Sequence, residues 1–139
     1  MSIEVKLSFE AAEAISTAAL ATWVYEKEVP PGDVAAQLNQ ATGGQLQGLL
    51  DSGELTGKAG ETLLFHQPRG LQAQRLLLLG AGKREGFEPA TDLRRLAGAA
   101  ARYLKSRGLT EFSFLVRPDH RAAQHAQALT EGVVLANFE

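Results

Sequence analysis

The run Arg75-Leu76-Leu77-Leu78-Leu79 passes directly into Gly80-Ala81-Gly82-Lys83. An apolar strand that ends in glycines and a lysine is one way to hold an anion, because glycine lets backbone N–H groups approach a phosphate and lysine adds positive charge. The Walker spacing and its following serine or threonine are missing, and the next helix begins only near Pro89. A strand-exit turn is therefore the plainer reading, with anion binding as the alternative. A second pair, Gly43-Gly44, precedes a helix starting at Gln45. The candidate anion-binding residues are thus Gly43, Gly44, Gly80, Gly82 and Lys83.

Other chemistry is harder to assemble. His120 and His125 are five apart, about 140° around a helix, so they do not share a metal as an i, i+4 pair does. Both are expected as solvated helix residues. His66 lies beside Gln67 in an apolar run and reads as a hydrogen-bonded structural histidine, since no nucleophile accompanies it. The aspartates Asp33, Asp51, Asp92 and Asp119 are scattered, there is no cysteine, and no serine is flanked by glycines in the manner of a nucleophile elbow. The expectation is no catalytic residue, no metal ligand and no bound cofactor in this chain. Arg94, Arg95, Arg102 and Lys105 form a basic stripe, but no aromatic residues interleave with them. A solvated helix face fits them better than a nucleic-acid surface.

The elements that position these residues alternate between strand and helix. Ile3 to Phe9 alternates apolar and charged residues, as a half-exposed strand at a sheet edge does, and it is expected to run antiparallel. Ala18 to Tyr25 is a second strand whose Trp23 and Tyr25 read as packing residues. Pro30-Pro31-Gly32 makes a turn, and Asp33 caps a short helix to about Gln40. Gln45 to Leu50 is another short helix and Gly53 to Glu61 a loop. Thr62 to His66 is a strand, and Arg69-Gly70 turns into the Leu76 strand. In the helix from about Pro89 to Arg107, a rotation of about 100° per residue collects Leu93, Leu96, Ala97, Ala100, Tyr103 and Leu104 on one arc. Gly108 supplies the stop, Glu111 to Val116 is the next strand, and a last helix from about Asp119 carries Ala122, Ala126, Leu129, Val133 and Ala136 as its stripe.

Strands joined by crossovers of a dozen or more residues require parallel pairs covered on both faces. The expected fold is a three-layer α/β/α domain with a mixed, largely parallel sheet, residues 1–139 forming one domain. That length suffices for a core of its own. A net charge of -2 argues against broad binding to nucleic acid or anionic membranes. No run approaches a membrane span, no signal peptide opens the chain, and cysteine is absent, which together point to the cytoplasm. The last stripe runs into Ala136-Asn137-Phe138-Glu139 without a polar exit, an ending expected of a fragment cut at a domain boundary.

Four blocks resemble successive parts of one family: Leu55 to Thr62, Arg75 to Lys83, Arg94 to Arg102 and Ala128 to Leu135. In order and spacing they look like the N-terminal domain of the leucyl aminopeptidases, the M17 metallopeptidases. The resemblance implies a macro-domain-like fold, joined in the family to a C-terminal catalytic domain that hydrolyses N-terminal amino acids from peptides. It also implies two divalent metals, manganese or zinc, in that second domain, and a homo-hexamer. Gly43-Gly44 resembles in position the diphosphate loop of ADP-ribose-binding macro domains, although a third glycine is lacking and Gln45 stands where an apolar residue is expected. A free-standing macro-like module for ADP-ribose or another phosphorylated ligand is the alternative.

Overall fold

The computed structural model describes residues 2–27 and 34–138. Five strands, β1 (Glu4–Ser8), β2 (Leu20–Val24), β3 (Thr62–His66), β4 (Arg75–Gly80) and β5 (Glu111–Leu115), form one sheet in the order β1-β5-β2-β4-β3. The helices are α1 (Val34–Ala41), α2 (Gln45–Ser52), α3 (Pro89–Ser106) and α4 (Ala123–Ala136). The turn at Pro30-Pro31-Gly32 and the Asp33 cap lie outside the described residues.

Period-two alternation divides the strands between two cores. Ala21, Trp23, Leu77, Leu79, Phe112 and Phe114 meet α3 and α4 on one face. Leu20, Val24, Leu76, Leu78 and Leu115 meet α1 and α2 on the other. This is the three-layer α/β/α arrangement with a mixed sheet. β2 lies in the middle of the order and is buried along its whole length. Its one hydroxyl, Thr22, is satisfied by donating to the Leu115 carbonyl at 2.9 Å.

The first strand is at an edge as expected, but its direction is not. β1 pairs parallel with β5, Glu4 opposite Glu111 through Ser8 opposite Leu115. The antiparallel edge is β3, which pairs with β4 from Thr62 opposite Leu79 to His66 opposite Arg75. The short link through Arg69-Gly70 returns the chain beside itself, whereas β1 reaches its neighbour only after the rest of the sheet is laid down. Alternation reports one exposed face and carries no information on direction.

α3 matches its periodicity, with Leu93, Leu96, Ala97, Ala100 and Leu104 buried. Gly108 follows with φ 84°, the left-handed stop. The last helix starts later than its stripe implies. Pro118–His120 is a short 3-10 turn, and the buried residues of α4 are Ala128, Leu129, Gly132, Val133 and Ala136. Ala122 lies outside the helix and is exposed. The buried stripe includes glycine because α3 and α4 approach closely. A Cβ on Gly132 would stand 2.2 Å from the Arg94 carbonyl oxygen, and one on Gly98 would stand 3.3 Å from that of Gly132.

Asn137 ties the end of α4 to the start of the chain. Its Oδ1 accepts from the Ile3 amide at 2.9 Å, and its Nδ2 donates to the Ile3 carbonyl at 2.9 Å.

Candidate functional site

The two glycine loops lie at opposite ends of the sheet. Gly80 closes β4 at the carboxyl end of the parallel strands, level with Val24 of β2. Gly43 and Gly44, with φ of 67° and 89°, share a groove with His66, Gln67 and Arg69, beside the amino end of β4. A Cβ on Gly70 would fall 1.7 Å from the Ala41 carbonyl oxygen, so backbone packs directly on backbone there. The loops therefore contribute to no common site.

Around Gly80 the backbone amides are engaged. Gly80 N–H donates to Glu61 at 2.7 Å, Ala81 N–H to Val24 at 2.9 Å, and Gly82 N–H to Gly57 at 2.8 Å, each to a carbonyl. The Gly82 carbonyl in turn accepts from the Glu26 amide at 2.9 Å. Glu61 holds the opposing loop in shape: its carboxylate accepts from the amides of Thr56 (2.9 Å) and Gly57 (2.7 Å) and from the Thr56 hydroxyl (2.9 Å). The glycines serve this close approach, since a Cβ on Gly80 would stand 1.8 Å from the Lys58 carbonyl oxygen. Lys83 is exposed and borders a groove with Lys58, Arg95 and Asp92. Arg95 there donates to Asp92 at 3.1 Å.

At the second loop, Gly44 N–H donates to the Asn39 carbonyl at 2.8 Å and Gly43 N–H to that of Gln40 at 3.2 Å. The Asn39 side chain accepts from the Gln47 amide in the first turn of α2 at 2.8 Å. The amide of an asparagine thus stabilises the helix start that a bound anion would otherwise occupy in part.

A richer cluster occupies the carboxyl ends of β2, β4 and β5, where open α/β sheets bind ligands. Trp23 is fully buried. Its ring stacks on Phe87 at 6.0 Å and 8°, and meets His120 edge-on at 5.6 Å. His120 lies 5.2 Å from Phe87 and 5.1 Å from His125, ring centre to ring centre. Arg117, only 3% exposed, donates to the Trp23 carbonyl at 3.2 Å and places its guanidinium 4.9 Å from the Tyr25 ring. Arg84 covers the same ring at 4.4 Å. Trp23 Nε1 and the Nδ1 atoms of His120 and His125 are buried without a hydrogen-bond partner among the described residues.

The two histidines therefore do come together, contrary to their expected separation around one helix. The 3-10 turn at Pro118 takes His120 off α4 and folds its ring back onto the aromatic residues. Burial lowers the His120 pKa, His125 adds to the effect, and Arg117 and Arg84 act in the same direction against Asp119. Arg117 escaped the sequence reading altogether. The available signal was an arginine ending the apolar run Phe112 to Val116 just before a proline. Trp23 and Tyr25 are packing residues, as expected. Of the basic stripe, Arg94 pairs with Glu131 at 2.9 Å and Arg95 with Asp92. Among the described residues no three histidine, aspartate or glutamate side chains converge.

Comparison with known proteins bears on the fold and the family. Residues 23–139 match the model of the cytosol aminopeptidase family, N-terminal domain. A probable cytosol aminopeptidase of Solibacter usitatus is 41% identical over 91 residues, covering 66% of this chain and 19% of its own length. A mutant of tomato leucine aminopeptidase superposes with a TM-score of 0.74 at 24% identity, over 99% of this chain and 29% of that one. The macrodomain of Mycobacterium tuberculosis DarG gives 0.65 at 12% identity, over 95% and 88%. The last two likenesses establish a shared fold, macro-domain-like in kind. The chain spans 19% to 24% of the length of the probable cytosol aminopeptidases of Solibacter usitatus and Thermosynechococcus vestitus. By the match over residues 23–139, the chain belongs to the cytosol aminopeptidase family and corresponds to its N-terminal domain.

Proposed function

We propose that this chain is the non-catalytic domain of a longer cytoplasmic aminopeptidase that removes N-terminal amino acids from peptides and works as a homo-hexamer. The observation that carries the reading is the family match over residues 23–139, together with relatives about five times as long. Two divalent metals, manganese or zinc, would activate water and polarise the scissile carbonyl in the catalytic domain. The donors of this chain do not fit such a centre: Asp51, Asp92 and Asp119 stand apart, and no group of three ligands forms among the described residues. The domain's contribution is then positioning, assembly or control of access.

The test is hydrolysis of leucine p-nitroanilide with added manganese. The polypeptide encoded by the complete reading frame should turn over and the 139-residue chain should not. Turnover by the short chain alone would sink the non-catalytic reading.

A second reading, a module that binds ADP-ribose or a related phosphorylated ligand, rests on the macrodomain likeness and on the arginine and aromatic cluster at the strand ends. Calorimetry with ADP-ribose separates the two. Micromolar binding favours the module, and no heat favours the domain.

A further inference from the structure

Of the residues from Pro118 to Gln124, His120 alone is not exposed. Its ring lies 5.6 Å from Trp23, 5.2 Å from Phe87 and 5.1 Å from His125, ring centre to ring centre and edge-on to each. The stretch it pins has little else to hold it. Pro118–His120 is a single 3-10 turn, and neither it nor α4 has a side-chain cap at its start. The first turn of α4 also lacks an acidic residue, so its amides gain nothing from a nearby carboxylate. Arg121 supplies a second tether by donating to the Val116 carbonyl at 3.2 and 3.3 Å. Beneath the turn lies Trp23, fully buried in the middle of the sheet.

These surroundings suit a neutral ring. Nδ1 of both histidines is shut away from solvent with no partner among the described residues, and a buried charge is costly unless paired. Among the described residues the charged groups that act on His120 are Arg84 from the turn after β4, Arg117 and Asp119 beside it in the chain, and His125 from α4. Three of the four oppose a positive charge there, and only the exposed Asp119 favours one. The aromatic faces offer little in return, because guanidiniums already use them: Arg117 stands 5.9 Å from the Trp23 ring, and Arg84 and Arg117 stand 4.4 and 4.9 Å from that of Tyr25. We infer that the turn carrying His120 is an acid-released latch: shut at neutral pH it shields Trp23, and protonation of His120 lets it swing off the carboxyl ends of β2 and β5 while the sheet and α3 stay folded. It thereby gates the crevice in which open α/β sheets hold ligands. Burial lowers the His120 pKa in the shut form alone, so the open form binds the proton first as pH falls below about 6.5. Above that value the latch stays shut.

Trp23 is the only tryptophan of the 139-residue chain, which makes the latch visible by fluorescence. Acrylamide is uncharged, so its quenching of Trp23 reports access to the ring independently of the charge around it. Between about pH 7.5 and about pH 5.5 the ratio of accessible to shielded emission should rise by up to about 10-fold, the gain from protonating the open form alone. Far-UV circular dichroism should stay unchanged over the same range. His120→Phe keeps an aromatic ring and removes the proton site, and it should hold the ratio constant. A ratio that does not change with pH in the natural sequence overturns the inference. So does a rise that accompanies loss of circular dichroism, or one that survives in His120→Phe. Should that variant fail to fold, the natural sequence still decides: the His120 ring resonances and the quenching should share one pH midpoint, and midpoints more than about 1 pH unit apart overturn the latch.

Discussion

α3 and α4 lie side by side on the same face of the sheet, yet their outward surfaces differ in kind. α3 turns Arg94, Arg95, Arg102 and Lys105 away from the core, and Arg94 and Arg95 form ion pairs at its surface. α4 carries no lysine or arginine and one carboxylate, Glu131, in fourteen residues, and its last turns expose Val134 and Leu135. Their inward surfaces are alike, small residues meeting at Gly98 and Gly132. Burial decides composition on the inside of both helices. On the outside they part: α3 presents paired charges to water, and the last turns of α4 present apolar side chains.

The sharpest way to break the pairing is at its closest point. Gly132→Val should destabilise the chain by about 3 kcal/mol, the upper part of the overpacking range, because the atom it meets is a backbone carbonyl that cannot rotate away. Denaturant midpoints measure this, and a loss under about 1 kcal/mol would mean the helices separate easily. The inner and outer faces of α4 can then be set against each other. Leu129→Ala removes a fully buried side chain and should cost about 2–5 kcal/mol, whereas Leu135→Ala in the same chain should stay within about 0.5 kcal/mol. Similar losses at both positions would show that the outer face is packed within the chain itself.

A smaller effect comes from pH. His120 takes up a proton more readily when unfolded than in its aromatic surroundings, so the unfolded chain binds more protons. Stability is therefore fully present above the unfolded value of about 6.5 and falls as pH drops towards the lowered folded value. Melting scans at about pH 7.5 and about pH 5.5 should show it, and His120→Phe should flatten the slope. Hydrogen exchange ought to register the loosening first at the start of α4 and hardly at all in α3. The smallest change expected is at Arg94 with Glu131, whose carboxyl is held below its ordinary pKa by hydrogen bonds from Arg94 and then Gln127. Both side chains are well exposed, so Arg94→Ala should shift melting only slightly and not at all at high salt.

Much of the fold was legible because it follows from local pattern. Leu76 to Leu79 could only be a buried strand, and the arc from Leu93 to Leu104 could only face a core. The four family blocks carried the identity of the domain. What stayed hidden depends on where distant segments meet. The parallel pairing of β1 needs β5, which comes a hundred residues later. His120 reads as a helix residue until Pro118 is seen to close a separate turn, and Arg117 acquires meaning only once Trp23 and Tyr25 surround it. Gly132 looks like a weak point of α4 until α3 is placed against it. The glycine loops were visible as turns, but their placement at opposite ends of the sheet was not.

The Asn137 carboxamide has one more consequence. Glu4 directs its amide towards β5, bonding Thr110 at 2.9 Å, so the backbone groups of Ile3 point to the free side of the sheet. Asn137 fills both of them, as a neighbouring strand would. One side chain thus acts as a single-residue strand and closes a rung through which another chain could extend the sheet. Asn137→Ala would reopen that rung, and the liability created would be one of aggregation more than of unfolding.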